Sequence, residues 1–283
     1  MTNTNTLPNH INLDALQQAA SWIQRADGLI IAAGAGMGVD SGLPDFRGKE
    51  GFWRAYPALA QLNIDFEDIA NSELFFNNPE LAWGFYGHRW RLYQQAQPHN
   101  GFQILKKWLS RKKEGGWVYT SNVDGQFQAA GFDAQKIVEC HGSLFQLQCS
   151  TPCHQSTWTA AGFQPQVDMA QCRLSNALPQ CPHCGETARP NILLFNDHSW
   201  VNKAEEATRQ FESWLPWLQK PVVIELGAGT HVPSIRNLSA RLAQHHHCPL
   251  IRINPDDCTT PYPQSIGLQG GALSVLTAID ALL

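Results

Sequence analysis

Two periodicities of hydrophobic and polar positions organise the chain. Between Ile11 and Ala26, the residues Leu13, Leu16, Ala19, Ala20 and Ile23 recur at helical spacing, which predicts an amphipathic helix. Leu29–Ala33 is then continuously apolar and ends in a glycine-rich turn, the pattern of a strand buried on both faces of a parallel sheet. Trp117–Thr120, Ile137–Ser143, Pro221–Leu226 and Leu250–Asn254 read as further strands, the first two ending in polar residues. Helical patterns cover Glu80–Gln95, Phe102–Leu109 and Ser274–Leu283, and Ala188–Asp197 is expected to bring the chain back to the main sheet. Residues 49–97 are rich in aromatic, acidic and glycine positions. They interrupt the strand–helix alternation and read as an insertion over a ligand site. The first ten residues are a loose polar end, and no internal repeat is evident.

Composition narrows the class. The chain has 283 residues, enough for one large domain or a large and a small one. It is 43% hydrophobic and 16% charged, which places it among globular rather than disordered chains. A net charge of -4 argues against a general nucleic-acid binder, and no apolar run approaches the length of a membrane span. The opening MTNTNTLPNH has neither the basic nor the apolar region of a signal peptide, so a cytoplasmic protein is expected. In that compartment its eight cysteines read as metal ligands or free thiols before disulfides.

The candidate chemistry gathers at strand ends. Gly34-Ala35-Gly36-Met37-Gly38 follows the first strand, where glycines let a ligand approach the backbone N–H groups and a following helix would favour a pyrophosphate. A tight strand–helix turn without a ligand has the same look. Ser121-Asn122-Val123-Asp124 lies just past another strand, where open α/β sheets bind ligands, although a plain turn also takes Asn and Asp. His141 lies in the polar end of a third strand, and an imidazole with an ordinary pKa of about 6.5 suits a general base near neutral pH. Cys149 and Cys153 form one pair and Cys181 and Cys184 another, a spacing that suits tetrahedral thiolate zinc, with Cys172, His154 and His183 as spare donors. Four free thiols are the alternative.

Ser41-Gly42-Leu43-Pro44-Asp45-Phe46-Arg47-Gly48, taken with the glycine turn, resembles the first motif of the sirtuins, the NAD-dependent protein deacylases, which reads GAG…SG(I/L)PDFRG. The other motifs follow in family order. Thr120–Asp124 is similar to TQNID, His141-Gly142 to HG, the cysteine pairs to the small-domain zinc site, Ala188–Asp197 to RPxVVxFGE, Gly227–Val232 to the GTS turn, and Asn254 to a ribose-binding asparagine. The likeness runs from about residue 11 to the end. Departures are Gly38 for a serine, Ser121 for a glutamine, Phe127 for a histidine, and Asn196-Asp197 for Gly-Glu.

The resemblance implies an α/β fold: a Rossmann-like doubly wound parallel sheet with a smaller zinc-ribbon plus helical domain. It assigns residues 1–48, 98–144 and 188–283 to the large domain, and 49–97 with 145–187 to the small one, with NAD between them. The NAD contacts it implies are Ala33, Gly34, Ala35, Gly36, Asp45, Phe46, Arg47, Ser121, Asn122, Asp124, Gly227, Ala228, Gly229 and Asn254. Zinc would be held by Cys149, Cys153, Cys181 and Cys184. Asn122 would orient the nicotinamide and a water, and His141 would be the base. The implied reaction transfers an acyl group from a protein lysine to ADP-ribose. The acyl oxygen attacks the nicotinamide ribose carbon, nicotinamide leaves, and a ribose hydroxyl deprotonated by His141 attacks the imidate. Val232 lies in the segment that would clamp the acyl-lysine peptide by strand addition. Mono-ADP-ribosyl transfer or NAD hydrolysis in the same pocket is the alternative. The expected partners are acyl-lysine proteins, with no direct nucleic acid and no membrane, and the chain is expected to be a monomer or weak oligomer. Tyr86 and Arg89, three apart on the Glu80–Gln95 helix, share a face and resemble the YxxR motif of sirtuins that remove succinyl and malonyl groups.

Overall fold

The computed structural model describes residues 12–44, 48–260 and 262–283. Its strands are β1 (Gly28–Ala33), β2 (Gly116–Thr120), β3 (Ile137–Glu139), β4 (Gly142–Cys149), β5 (Trp158–Thr159), β6 (Val167–Asp168), β7 (Arg173–Leu174), β8 (Ala188–Ile192), β9 (Pro221–Leu226), β10 (Leu250–Asn254) and β11 (Ser265–Gln269). Six of them form one sheet in the order β11-β10-β9-β1-β2-β3, with every neighbouring pair parallel. The chain winds outward from β1 to β3 on one side and from β9 to β11 on the other. The boundary between β1 and β9 is therefore the topological switch point, where open α/β sheets leave a crevice at the strands' carboxyl ends.

The helices are α1 (Leu13–Arg25), α2 (Gly48–Ala55), α3 (Pro57–Gln61), α4 (Phe66–Ile69), α5 (Leu74–Asn77), α6 (Pro79–Gln95), α7 (Asn100–Ser110), α8 (Gln126–Ala129), α9 (Glu205–Trp214), α10 (Ser234–His245) and α11 (Ala272–Asp280). Asn12 starts α1 by accepting the N–H of Asp14 at 2.9 Å, and Leu16, Ala19, Ala20 and Ile23 are the face it buries. All six residues of β1 are buried, and the two faces of the strand divide between two cores. Leu29, Ile31 and Ala33 pack with α1, α7 and α11, while Ile30 and Ala32 pack with α9 and α10. That is why the strand reads as an unbroken apolar run.

A third core joins α2–α6 to β4, β8 and the segments between them. Here the structure corrects the sequence reading. Ala188–Ile192 does not return to the main sheet but pairs antiparallel with β4, in a three-stranded sheet of order β5-β4-β8. Pro190 lacks a ladder N–H, and the register shifts between Ser143 and Leu147 opposite it. The polar residues of β8 are paired in that position. The buried Arg189 pairs with the buried Asp197 at 2.8 Å, and Asn191 donates to Gln148 Oε1 at 2.9 Å.

The expected strand Ile137–Ser143 is likewise two strands, broken by a turn at Cys140-His141. Gly142 takes φ 76°, and a Cβ there would run into the Asn191 carbonyl. The turn holds His141 at the strand end rather than in a ladder. Among the described residues, no helix is long and apolar enough to cross a membrane.

Candidate active site

The glycine turn docks against the loop after β9. Gly34 N–H donates to Leu226 O and Gly36 N–H to Gly227 O, each at 2.9 Å. A Cβ on Gly36 would lie 2.7 Å from Gly227 Cα, and one on Gly34 would lie 2.8 Å from Ala228 Cα. These glycines are thus required by the approach of two loops at the switch point. The chain leaves the turn in a 3-10 helix, Ala35–Ser41. Gly38 faces Leu43 and Asp124, and a Cβ there would sit 3.5 Å from Asp124 Oδ2.

A cleft of about 810 Å³ opens at this point. Gly34, Ala35 and Gly36 line it, together with Ser121, Asn122, Asp124, His141, Gly227, Ala228, Gly229, Val232 and Asn254, so residues from five separate stretches converge. Ala33 is buried at the end of β1 and is not part of the lining. Asp45, Phe46 and Arg47 lie outside the described residues.

Local hydrogen bonds fix the polar groups. Thr120 Oγ1 donates to Ala33 O and accepts from Asn122 N–H, each at 3.0 Å, and Asn122 Nδ2 donates to Gly34 O at 3.0 Å. The Asn122 side chain keeps one N–H and its carbonyl oxygen for a ligand. Asp124 accepts from Gln126 N–H at 2.9 Å, and burial pushes its carboxyl up to about 6. Asn254 donates to Ala228 O at 3.0 Å and accepts from the N–H groups of Asp256 and Asp257 at 3.0 and 3.2 Å. These three bonds use one amide N–H and the carbonyl oxygen of Asn254 and shape the loop that follows it. His141 O accepts from Leu193 N–H at 2.9 Å, and Nε2 of its half-buried ring lies 3.3 Å from Ser234 Oγ. Burial holds the imidazole below its ordinary pKa and so favours its neutral form.

Tyr86 and Arg89 line the same cleft, on α6. Tyr86 is buried and stacks on Phe75, with ring centroids 5.7 Å apart. Arg89 takes Tyr93 as its hydroxyl partner: Nε donates to Tyr93 Oη at 2.8 Å, and Nη2 bonds the same oxygen. Its guanidinium carbon lies 5.3 Å from the Phe85 and Tyr93 ring centroids and 5.9 Å from that of Tyr86. Sequence reasoning missed Tyr93, although its i, i+4 spacing from Arg89 was there to be read. It also missed Ser234 and Arg236. Arg236 donates to Ala228 O at 3.0 Å and pairs with Asp257 at 3.0 Å at the Asn254 end of the cleft. No local pattern marks either residue.

Away from the cleft, the four sulfurs of Cys149, Cys153, Cys181 and Cys184 all lie within 4.8 Å of one another. The Cys149–Cys184 and Cys153–Cys181 separations are 3.6 and 3.7 Å. A tetrahedral zinc with Zn–S bonds of about 2.3 Å sets its sulfurs about 3.8 Å apart, so the donor set fits that ion. Cys172 is excluded from the cluster. It is buried against α6, where a Cβ on Gly84 would collide with its carbonyl oxygen. His154 Nε2 stands 3.5 Å from Cys181 Sγ, beside the four sulfurs rather than among them.

A doubly wound parallel sheet with a polar cleft at its switch point is the architecture of nucleotide-binding α/β proteins. The Sir2 family profile matches residues 34–231, and the chain belongs to that family. It is similar to a Thermococcus kodakarensis protein named NAD-dependent protein deacylase, at 32% identity over 192 residues, 68% of each chain. A Thermus thermophilus protein of the same name is 27% identical over 265 residues, 92% of each chain. The solved structure of a Sir2 homolog–NAD complex is 24% identical and superposes with a TM-score of 0.71, over 98% of this chain and 96% of that one.

Proposed function

We propose that this chain removes acyl groups from protein lysines at the expense of NAD, and that its preferred acyl groups end in a carboxylate. By class it is an NAD-dependent protein deacylase, with NAD as co-substrate and proteins as substrates. The observation that carries the reading is one cleft that gathers Asn122, Asp124, His141, both glycine loops and Asn254 with Tyr86 and Arg89. ADP-ribosyl transfer and NAD hydrolysis are not favoured, since the relatives matched are named deacylases.

NAD, when bound, supplies the ribose carbon that takes the acyl oxygen as nicotinamide departs. The chain's own residues do the rest. The Gly34–Gly36 and Gly227–Gly229 loops receive the phosphates and adenosine, with Asn254 offering its remaining N–H to the ribose. Asn122 and Asp124 hold the nicotinamide end. His141, whose burial favours the neutral ring, removes the proton of a ribose hydroxyl. Val232 and the Leu193–Phe195 segment border the cleft where an extended peptide adds as a strand. The cysteine cluster would hold a structural zinc, away from the cleft. The proposed division is into a Rossmann-like part and a part made of the helical insert and ribbon. One change is needed, because β8 joins the second.

For the acyl group, a guanidinium oriented by Tyr93 and bordered by aromatic rings suits a carboxylate at the end of a short chain. A buried charged hydrogen bond contributes about 1.5–3 kcal/mol, which corresponds to a preference for succinyl or malonyl over acetyl on the order of ten- to hundredfold in kcat/KM. Arg89→Met is expected to erase that preference while lowering deacetylation less. Parallel kcat/KM measurements on peptides that differ only in the acyl group check this. Equal or better wild-type activity on acetyl-lysine would refute the acyl assignment.

A further inference from the structure

We propose that Ser234 is a positioning residue for the base, holding the His141 ring in its working orientation through every protonation state. The proposal rests on the reading of His141 as the base. His141 sits in the two-residue turn between β3 and β4, so neither strand's ladder fixes its side chain. Its backbone is tied through the carbonyl to Leu193, but that contact leaves the ring free to rotate about its side-chain bonds. Among the described residues, the one side chain within hydrogen-bond distance of the ring is Ser234, with Oγ 3.3 Å from Nε2.

Ser234 is itself placed firmly. It is the first residue of the 12-residue helix α10, which packs through Ile235, Leu238 and Leu242 on the core face of β1 and β9. Two residues on, Arg236 ties the same turn to Ala228 O and Asp257. The hydroxyl therefore reaches the cleft from a rigid element, and both it and His141 line that cleft.

A general base acts efficiently when a further group orients it. A hydroxyl suits this ring because it can accept from a protonated Nε2 and donate to a bare one, so it holds either tautomer. When Nδ1 takes the proton of the ribose hydroxyl, Nε2 stays protonated and the contact persists, while the freed oxygen bonds to the acyl carbon and the C=N π pair of the imidate moves to nitrogen.

The test separates the two half-reactions. The base is needed after nicotinamide has left, so exchange of labelled nicotinamide into NAD reads binding and the first step, whereas product formation reads the base. Ser234→Ala is expected to lower kcat for O-acyl-ADP-ribose formation about tenfold, short of the roughly 10²–10⁴-fold that a whole general base supplies. Nicotinamide exchange and the KM for NAD should stay within about twofold, the signature of an interaction used only in the later transition state. Ser234→Thr, which keeps the hydroxyl, should restore most of the loss. Ser234→Gly repeats the deletion with a different helix start, so a folding defect peculiar to one variant does not decide the result. Wild-type kcat in both deletions, alongside a His141→Ala variant that is inactive, would overturn the positioning role and leave the base intact. Parallel loss of exchange and product formation would also overturn it, because that is what a displaced α10 would give. An active His141→Ala variant would overturn the base and the positioning role together.

Discussion

Replacing His141 with alanine is expected to lower deacylation by roughly 10²–10⁴-fold while leaving NAD binding nearly unchanged. The loss is large because the role falls in a transition state: an interaction that exists only there lowers kcat and kcat/KM together. Binding is spared because the groups that shape the NAD cleft do not depend on the imidazole. The glycine loops are held by backbone bonds from Gly34 to Leu226 and from Gly36 to Gly227, and Asn254 and Asn122 are pinned to Ala228 and Gly34. The fold is spared as well, since the bond that anchors residue 141, from Leu193 N–H, uses its carbonyl. Steady-state kinetics together with NAD titration by calorimetry check this, and near-wild-type turnover would remove His141 from the mechanism.

Removing zinc is expected to unfold the ribbon between β4 and β8 while the parallel sheet survives. Few side chains in that ribbon are buried: Ala160, Cys172, Leu174 and Cys181 are its buried hydrophobic residues between Ser150 and Thr187. Its strands β5, β6 and β7 are two residues long each. Such a segment has little hydrophobic burial to offset the entropy of ordering it. Structural zinc binds thiolate sites with apparent energies of about 10–16 kcal/mol, so losing the ion outweighs anything else the ribbon contributes. The sheet should persist because its cores lie on α1, α7, α9, α10 and α11, remote from the cysteines in the packing. Metal analysis should find one zinc per chain. Cys149→Ser or a strong chelator should open the 150–187 segment to limited proteolysis. Less than about half an equivalent of zinc in carefully purified protein, or an unchanged cleavage pattern after chelation, would count against a structural zinc.

How much of this was legible in the chain depends on how local the information is. The strands Pro221–Leu226 and Leu250–Asn254 fall where their apolar runs place them, because a strand buried on both faces has no polar alternation to blur its limits. The cleft residues were legible as motifs, since turn and strand-end positions demand small or polar residues. The register of β8 was not. The apolar run Ile192–Leu194 resembles a parallel core strand, but the partners of Arg189 and Asn191 are Asp197 and Gln148, and Gln148 lies in a strand whose pairing no short window contains. The two-residue strands of the ribbon are too short to carry any period. His99 passed unnoticed because its role, a ring bond to Met37 O at 2.9 Å, depends on two elements meeting in space. Ser234 and Arg236 were invisible for the same reason.

Transfer of an acyl group from lysine to the ADP-ribose of NAD in one cleft is tested most directly by mass analysis of all products after incubation with NAD and peptides carrying acetyl-, malonyl- or succinyl-lysine. The expected result is one nicotinamide and one O-acyl-ADP-ribose for each peptide that loses its acyl group. Release of nicotinamide with free or protein-bound ADP-ribose, and no change in peptide mass, would contradict it.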